Sequence, residues 1–269
     1  MTRQAATLVG AALPHESAVG HVTGAARYVD DLWPDVAHVA HGWPVQVPHA
    51  HARVQRIDAD AASQAPGVLA VLTGDDVPGE NDIGVARRDE PLFPTEVCFA
   101  GHAVAWVIAE TEEQARVAAG LVRVDCEVLP AILSIEQAIA ADSFLTAGDR
   151  LAKGDAAAAL RTAPRRLEGE FAIGGQEHFY LETNAALAYR DEDGGMLVHS
   201  STQHPTETQE IVARVLAVPK HAVVVQCLRM GGAFGGKEVQ ANAWAAVAAL
   251  AQSSAQIRAM RSGSRTTWP

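Results

Sequence analysis

The sequence predicts a globular protein of mixed strands and helices, in an α/β or α+β arrangement, divided into two domains. Hydrophobic residues make up 48% of the chain and charged residues 20%, as in ordinary globular domains. The length of 269 residues is enough for one large domain or two smaller ones. Short apolar segments also alternate with segments of helical pattern, which favours a mixed fold over an all-helical or all-strand one.

The first half predicts three strands after a lead-in of residues 1–19. The strands are expected at 36–47, 68–72 and 103–109, where short apolar segments are separated by turn residues.

A helix start is the clearest local signal in this half. Thr111 is an N-cap residue, Glu112 and Glu113 place acids in the first turn, and Gln114 completes a capping box. The helix is expected to continue to about Gly120. The alternating residues after it, 121–128, predict a half-buried strand.

A shift in composition over residues 136–154 predicts a linker between two domains, because this stretch is rich in alanine and contains Gly148 and Gly154. Further strands and helices are expected beyond it. The predicted strands are 166–173, 186–190, 196–201 and 223–228, with a hairpin turn at 191–195, and the predicted helices are 205–217 and 239–251.

Charge and cysteine content exclude several classes of function. The formal net charge of −11, with no cluster of lysine and arginine, opposes binding to nucleic acid. Cys98, Cys126 and Cys227 are dispersed, so neither an iron–sulfur cluster nor a zinc finger is expected within this chain, and the thiols suit a reducing cytoplasm. We find no signal peptide and no apolar run of about 18 residues, so a cytoplasmic protein without a membrane span is expected.

A glycine-rich loop at 229–238 follows the last predicted strand and precedes a helix. Its glycines permit positive φ angles and close approach of the backbone to a bound group, and the helix favours an anionic ligand or metal-oxo ligands. Gly231, Gly236 and Lys237 match most of a P-loop, but Glu238 stands where Ser or Thr would hold magnesium, which disfavours nucleotide hydrolysis. The spacing alone favours a tight turn whose glycines serve only packing.

A second stretch, 174–183, packs polar and aromatic residues between apolar segments and, taken alone, is consistent with a solvated loop. One family has two motifs in the same order and at the same separation as two segments of this chain. These segments are Gln-Glu-His-Phe-Tyr-Leu-Glu, within 174–183, and the later Arg-Met-Gly-Gly-x-Phe-Gly-Gly-Lys-Glu. Together with residues 23–31 and 127–131, they resemble the molybdenum-binding subunit of xanthine dehydrogenases, in the xanthine oxidase family of molybdenum hydroxylases. The resemblance covers residues from about 23 to about 252.

The resemblance implies an α+β fold in two parts. Residues 20–135 would form the α/β hammerhead domain, and 155–252 would begin the molybdopterin-binding domain. Residues 253–269 depart from the family pattern, so we expect an atypical tail from a shifted reading frame or a truncated gene product.

The resemblance also implies a site. Gln176 would donate a hydrogen bond from its amide to the apical oxo ligand of molybdenum, and Phe234, with Gly232 and Gly235, would line the metal and contact the cofactor. Glu238 would bind the purine, because a carboxylate pairs with a ring N–H and is left unpaired by a substrate without that donor. Without the resemblance, the favoured interpretations are a strand-end amide satisfied by the backbone for Gln176 and a first-turn helix acid for Glu238.

Other polar clusters carry less functional weight. His38, His41, His49 and His51 are interpreted as surface residues, because strand alternation separates some of them onto opposite faces. Glu177, His178 and Glu182 lie beside Gln176 and could be taken for an acid-base set, but on a strand His178 would share a face with Gln176, and the two acids are interpreted as structural.

By resemblance, the activity is hydroxylation of hypoxanthine and xanthine to urate in purine catabolism. The implied cofactor is molybdenum-molybdopterin, in its pterin or cytosine dinucleotide form. Electrons would pass to NAD through iron–sulfur clusters and FAD on a small partner subunit, giving a hetero-oligomer. The base glutamate would lie in segments that this chain lacks, so no catalytic residue is assigned within it, and the chain alone is expected to be inactive. An aldehyde oxidoreductase of the same superfamily and a non-catalytic truncated remnant stay open.

Overall fold

A computed structural model describes residues 9–36, 38–85 and 88–254 of the chain. These residues form two compact units. The first contains the described residues up to Val128 together with those from His178 onward, and the second is Leu129–Glu177. The first unit therefore combines residues from both halves of the sequence.

The described residues form nine strands and seven α-helices. The strands are β1 His41–Val47, β2 Ala52–Asp58, β3 Val68–Leu72, β4 Glu96–Val97, β5 His102–Ala109, β6 Arg123–Val128, β7 Ala186–Arg190, β8 Met196–Ser200 and β9 Val223–Gln226. The helices are α1 Ala18–Thr23, α2 Asp60–Ser63, α3 Glu112–Ala119, α4 Ile135–Ala140, α5 Ala156–Thr162, α6 Pro205–Val215 and α7 Ala241–Ser253.

Two three-stranded antiparallel sheets come from the first half of the chain, with strand orders β1-β5-β3 and β4-β2-β6. β5 is central in its sheet and pairs Val107 with Trp43 on β1 and with Val71 on β3. Its near-continuous apolar sequence is buried on both faces, which is the pattern of an interior strand. α3 packs on β1 and β5 and closes the smaller of two apolar cores.

A third sheet, β7-β8-β9, belongs to the second half of the chain. β7 and β8 form the antiparallel hairpin predicted from 191–195, and β9 runs parallel to β8. α6 and α7 pack against this sheet. The larger apolar core joins Met196, Val198 and Ile211 from this part to Leu72 and Trp106 from the first half.

Polar contacts fix the same junction. The Arg214 guanidinium on α6 donates to the carbonyl oxygens of Asp82 and Gly84 at 2.9 and 2.8 Å. The Gly79 amide donates to the Val215 carbonyl at 3.0 Å. A Cβ atom at Gly79 would lie 2.0 Å from the Arg214 carbonyl oxygen, so only glycine permits this close approach.

The second unit contains α4 and α5, and none of its residues is buried. Its apolar side chains face solvent, including Leu151, Leu167, Phe171 and Ile173. The strand predicted at 166–173 is wrong, because this segment pairs with no strand in the described part of the chain. A segment with a strand-like apolar sequence forms a strand only where a neighbouring strand pairs with its main-chain N–H and C=O groups.

Most other element predictions are confirmed, with changes at the ends. The Gln114 amide donates to Thr111 Oγ1 at 3.2 Å, so the predicted cap of α3 is present. The strand expected at 36–47 begins only at His41, and the one expected at 223–228 ends at Gln226. The helix expected at 205–217 is α6, ending at Val215, and the one expected at 239–251 is α7, shifted by two residues.

Both predicted terminal segments fall partly outside the described residues. Of the lead-in, 9–17 have no helix or strand and α1 begins at Ala18, while 1–8 are not described. Of the atypical tail, only Ser253 and Ser254 are described. No helix in the described ranges is both long and apolar enough to cross a membrane.

Candidate functional site

The glycine-rich loop joins β9 to α7 and has an unusual backbone. Gly232, Phe234 and Gly235 all have positive φ, at 100°, 55° and 93°. The left-handed conformation is unfavourable for a phenylalanine, and strained residues of this kind concentrate at ligand sites. The Phe234 side chain is 77% exposed, so burial of its ring within this chain does not offset the strain.

Two of the glycines are required by packing inside the protein. A Cβ atom at Gly236 would lie 2.6 Å from Cε1 of Tyr180, and one at Gly231 would lie 2.5 Å from Cβ of Glu182. Gly235 differs, since a Cβ atom there would have its nearest neighbour, His178 Nε2, 3.9 Å away. The two ends of the loop are therefore packed on residues 178–182, while the middle has open space beside it.

A buried ion pair lies under the loop. Nζ of Lys237 is 3.0 Å from Oε2 of Glu182, and the two side chains are 0% and 10% exposed. The ammonium group also lies 4.8 Å from the centre of the Tyr180 ring, within the range of a cation–π contact. This pair was not predicted from the sequence, although the interpretation of Glu182 as structural agrees with it.

The main-chain amides divide into two groups. The Gly231 amide donates to Glu182 Oε2 at 2.8 Å, and the Lys237 amide donates to Gln203 Oε1 at 3.2 Å. Within the described ranges, no protein acceptor is present for the four successive amides of residues 232–235. Successive amides of this kind form a concave donor surface for anionic or oxo groups.

This arrangement fits a ligand that approaches the backbone, and it does not fit a P-loop. The Lys237 ammonium is enclosed and neutralised by Glu182, so it does not reach outward to a phosphate. Between Gly231 and Lys237, the exposed side chain is the uncharged Phe234 ring, beside the partly exposed Gly232 and Gly235. An anionic cofactor that receives hydrogen bonds from main-chain N–H groups is compatible with such a loop.

The other predicted site residues are solvent-exposed. Glu238 follows the buried Lys237 and faces outward, three residues before α7 begins at Ala241. It therefore precedes the first turn of the helix instead of belonging to it. Gln176 is exposed and belongs to the second compact unit, in a segment without strand structure. The roles of Gln176 and Glu238 stay predictions.

Two groups near the ion pair have a raised pKa. Burial raises the pKa of the Asp30 carboxyl, and the Glu182 carboxylate raises it further. Burial also raises the pKa of the Cys227 thiol, which keeps it protonated and unreactive near neutral pH. Arg229 donates from Nη1 to the carbonyl oxygen of Arg27 at 2.6 Å and so fixes the start of the loop.

The histidines of the first half do not gather into a metal site. His51 pairs with Glu96 at 2.9 Å near the surface of the β4-β2-β6 sheet. Across the described residues, no group of three or more histidine, cysteine or acidic side chains has metal-binding geometry.

Two family models match the chain. Residues 23–130 match the α/β hammerhead domain of aldehyde oxidase and xanthine dehydrogenase, and residues 140–262 match the molybdopterin cofactor-binding domain. The α+β fold predicted from the resemblance, with its hammerhead domain followed by a molybdopterin-binding domain, is confirmed.

Individual relatives agree with these matches. The chain is 42% identical over 242 residues to a xanthine dehydrogenase of Dictyostelium discoideum, and 44% identical over 252 residues to xanthine dehydrogenase 1 of Arabidopsis thaliana. These alignments cover 89% and 91% of this chain but 18% of each relative's own length. Among solved structures, it is similar to the aldehyde oxidoreductase of Desulfovibrio gigas, with a TM-score of 0.76 and 30% identity over 89% of this chain and 29% of that one.

The fold and the two matched domains define a molybdenum hydroxylase class of oxidoreductase. The chain belongs to the xanthine oxidase family, which includes the xanthine dehydrogenases and aldehyde oxidases.

Proposed function

We propose that the chain is the N-terminal part of the molybdenum-binding portion of a xanthine dehydrogenase, which hydroxylates hypoxanthine and xanthine to urate. The observation that carries this proposal is the loop at 231–237, where the amides of residues 232–235 have no acceptor among the described residues and Lys237 is paired with Glu182. The identity of about 40% to xanthine dehydrogenases supports the choice of substrate class.

In this proposal, the loop holds the molybdopterin cofactor. The amides of residues 232–235 would donate hydrogen bonds to the cofactor, and the exposed Phe234 ring would pack beside it. The Gln176 amide would donate to an oxo ligand of the molybdenum, a role suited to a neutral donor that does not titrate. When bound, the molybdenum cofactor supplies the oxygen-transfer and two-electron chemistry of the hydroxylation.

Glu238 is the proposed substrate-selecting residue. Its exposed carboxylate immediately follows the buried Lys237, so the fold directs adjacent side chains to opposite environments. A carboxylate accepts a hydrogen bond from a purine ring N–H, and a substrate without that donor leaves the carboxylate unpaired once water is excluded.

The complete enzyme needs groups beyond this chain. We propose a small cytoplasmic partner subunit that carries iron–sulfur clusters and FAD and passes electrons to NAD. The three dispersed cysteines support placing the clusters elsewhere, since a two-iron or four-iron cluster of the ordinary type takes four cysteine thiolates. We also assign the base glutamate to segments outside the chain, so we expect no turnover by the isolated chain.

An aldehyde oxidoreductase is the second candidate, favoured by the structural likeness to the Desulfovibrio gigas enzyme. Glu238 separates the two. In the complete enzyme, Glu238→Ala is expected to lower xanthine turnover and retain aldehyde oxidation, whereas Glu192→Ala, at an exposed hairpin-turn glutamate, changes neither. Unchanged purine turnover in Glu238→Ala would reject the xanthine assignment.

The DNA that adjoins this coding sequence provides the first test. Reading it in all frames is expected to reveal the remaining cofactor-binding segments and the base glutamate. Unrelated sequence there would instead favour a non-catalytic remnant. Metal analysis of the purified chain, produced in cells that make the cofactor, then tests directly whether it retains molybdenum.

A further inference from the structure

The glycine loop is fixed at both ends by residues that take no part in the proposed ligand contacts. At its start, the Glu182 amide donates to the Gly231 carbonyl at 3.1 Å, and the Gly231 amide donates to Glu182 Oε2 at 2.8 Å. At its end, the Gln203 amide donates to the Lys237 carbonyl at 2.8 Å, and the Lys237 amide donates back to Gln203 Oε1. Only residues 232–236 lie between these fixed points.

The Lys237–Glu182 ion pair links the two ends. Oε2 of Glu182 accepts from the amide at the start of the loop and from the ammonium group at its end. Glu182 Oε2 therefore links the Gly231 end of the loop to the Lys237 end, and residues 232–236 connect the two. The ammonium is fully enclosed, so the pair is poorly screened by solvent and both partners depend on each other.

We propose that Lys237 and Glu182 are positioning residues, which hold residues 232–235 in the conformation that receives the anionic cofactor. The proposal rests on the proposed function for the identity of that cofactor. Neither residue contacts the cofactor in this proposal. Their role is preorganisation, since a loop held in its binding conformation loses less entropy when the ligand binds.

We call the Lys237–Glu182 ion pair and its hydrogen bond to the Gly231 amide the clamp. Amide hydrogen exchange in the full chain tests it without any activity measurement. The reporters are the hydrogen-bonded amides of Glu182, Gly231 and Lys237, and the reference amides lie in β8 and α6. Lys237→Met removes the charge and keeps a long apolar side chain. We expect the reporters to exchange at least about tenfold faster, while the reference amides change by a smaller factor, because the opening is local.

A second ion pair provides a matched control. Nζ of Lys220 lies 3.1 Å from Oε2 of Glu210, almost the same distance, but the side chains are 47% and 61% exposed. Lys220→Met is expected to leave reporter exchange unchanged, because exposed pairs are screened by water and salt.

If Lys237→Met does not fold, the double variant Lys237→Met with Glu182→Gln tests the positioning role instead. It leaves no unpaired buried charge, so the fold is retained, but it lacks the ionic link between the loop ends. We expect reporter exchange at least about threefold faster than in the unaltered chain. Equal acceleration of reporters and references, or no acceleration in the folded double variant, would overturn the positioning role.

Molybdenum content separates this inference from the proposed function. If the unaltered chain retains molybdenum, lower content in the double variant than in Lys220→Met supports positioning for the cofactor, and equal content opposes it. If the unaltered chain retains none while exchange responds as expected, the clamp stands and the cofactor assignment fails.

Discussion

Replacing Arg214 by methionine tests whether the two halves of the sequence share one core. The Arg214 side chain is 11% exposed and donates two hydrogen bonds to carbonyl oxygens of the loop after β3. Methionine retains much of the packing volume but donates neither bond. A hydrogen bond with a charged partner contributes about 1.5–3 kcal/mol, so the loss of both lowers the free energy of unfolding by roughly 3 kcal/mol or more.

The measurement is urea unfolding of the full chain, followed by tryptophan fluorescence. Trp106 and Trp244 lie edge to face at 6.2 Å and come from the two halves, so their signal reports the shared core. For a chain of this size, a loss of about 3 kcal/mol lowers Tm by roughly 6–12 °C.

Arg116→Met is the matched control for this experiment. Arg116 also makes two hydrogen bonds, to Glu113 at 2.9 and 2.6 Å, but its side chain is 51% exposed. Exposed pairs contribute less than about 1 kcal/mol. If Arg214→Met loses no more stability than Arg116→Met, the guanidinium does not hold the halves together and the reasoning is refuted.

Three further predictions follow from packing and protonation. Gly236→Ala places a Cβ atom 2.6 Å from the Tyr180 ring, so we expect a loss of about 1–3 kcal/mol in urea unfolding, and a change within about 0.5 kcal/mol would contradict the packing. Burial lowers the pKa of His199, so the unfolded chain binds its proton more readily, and stability falls as the pH drops below the ordinary value of 6.5. His199→Phe should reduce this decline between pH 8 and 5 without abolishing it, since the pKa of His102 is also lowered by burial, and an unchanged decline would refute the assignment. Phe171 is 86% exposed, so Phe171→Ser should change stability by less than about 0.5 kcal/mol and reduce self-association in light scattering, and a larger loss would place the ring in a core.

Local signals predicted the elements that depend on local interactions. The Thr111 cap and the 191–195 hairpin turn each involve residues within a few positions of one another, and both are present. β2, at Ala52–Asp58, was not predicted, although it is the central strand of its sheet. Its pairing with β6 shifts register between Val54 and Arg56, which breaks the alternation that marks a half-buried strand.

The candidate site was only partly accessible to sequence reasoning. The glycine spacing indicated a close-approach loop, and the positive φ angles at Gly232 and Gly235 agree with it. The partner of Lys237 lies 55 residues earlier, and neither composition nor periodicity signals such a pair. The prediction of a strand at 166–173 was wrong for a related reason. Strand formation depends on a partner strand that is distant in sequence, and the sequence of one segment does not show whether that partner exists.

The environment of Lys237 explains why this loop matches most of a P-loop motif and yet does not present a lysine to a phosphate. In a P-loop, the lysine after the second glycine points toward the phosphates and supplies a full positive charge. Here the corresponding ammonium is buried against Glu182, so residues 232–236 offer a ligand only the partial charges of their amides. A surface of neutral donors attracts an anion less strongly over distance than a lysine does, and the chain's net charge of −11 opposes a free anion as well. Such a loop is suited to a cofactor that many further contacts retain and that leaves rarely, whereas a nucleotide that exchanges in each cycle gains more from the outward cation.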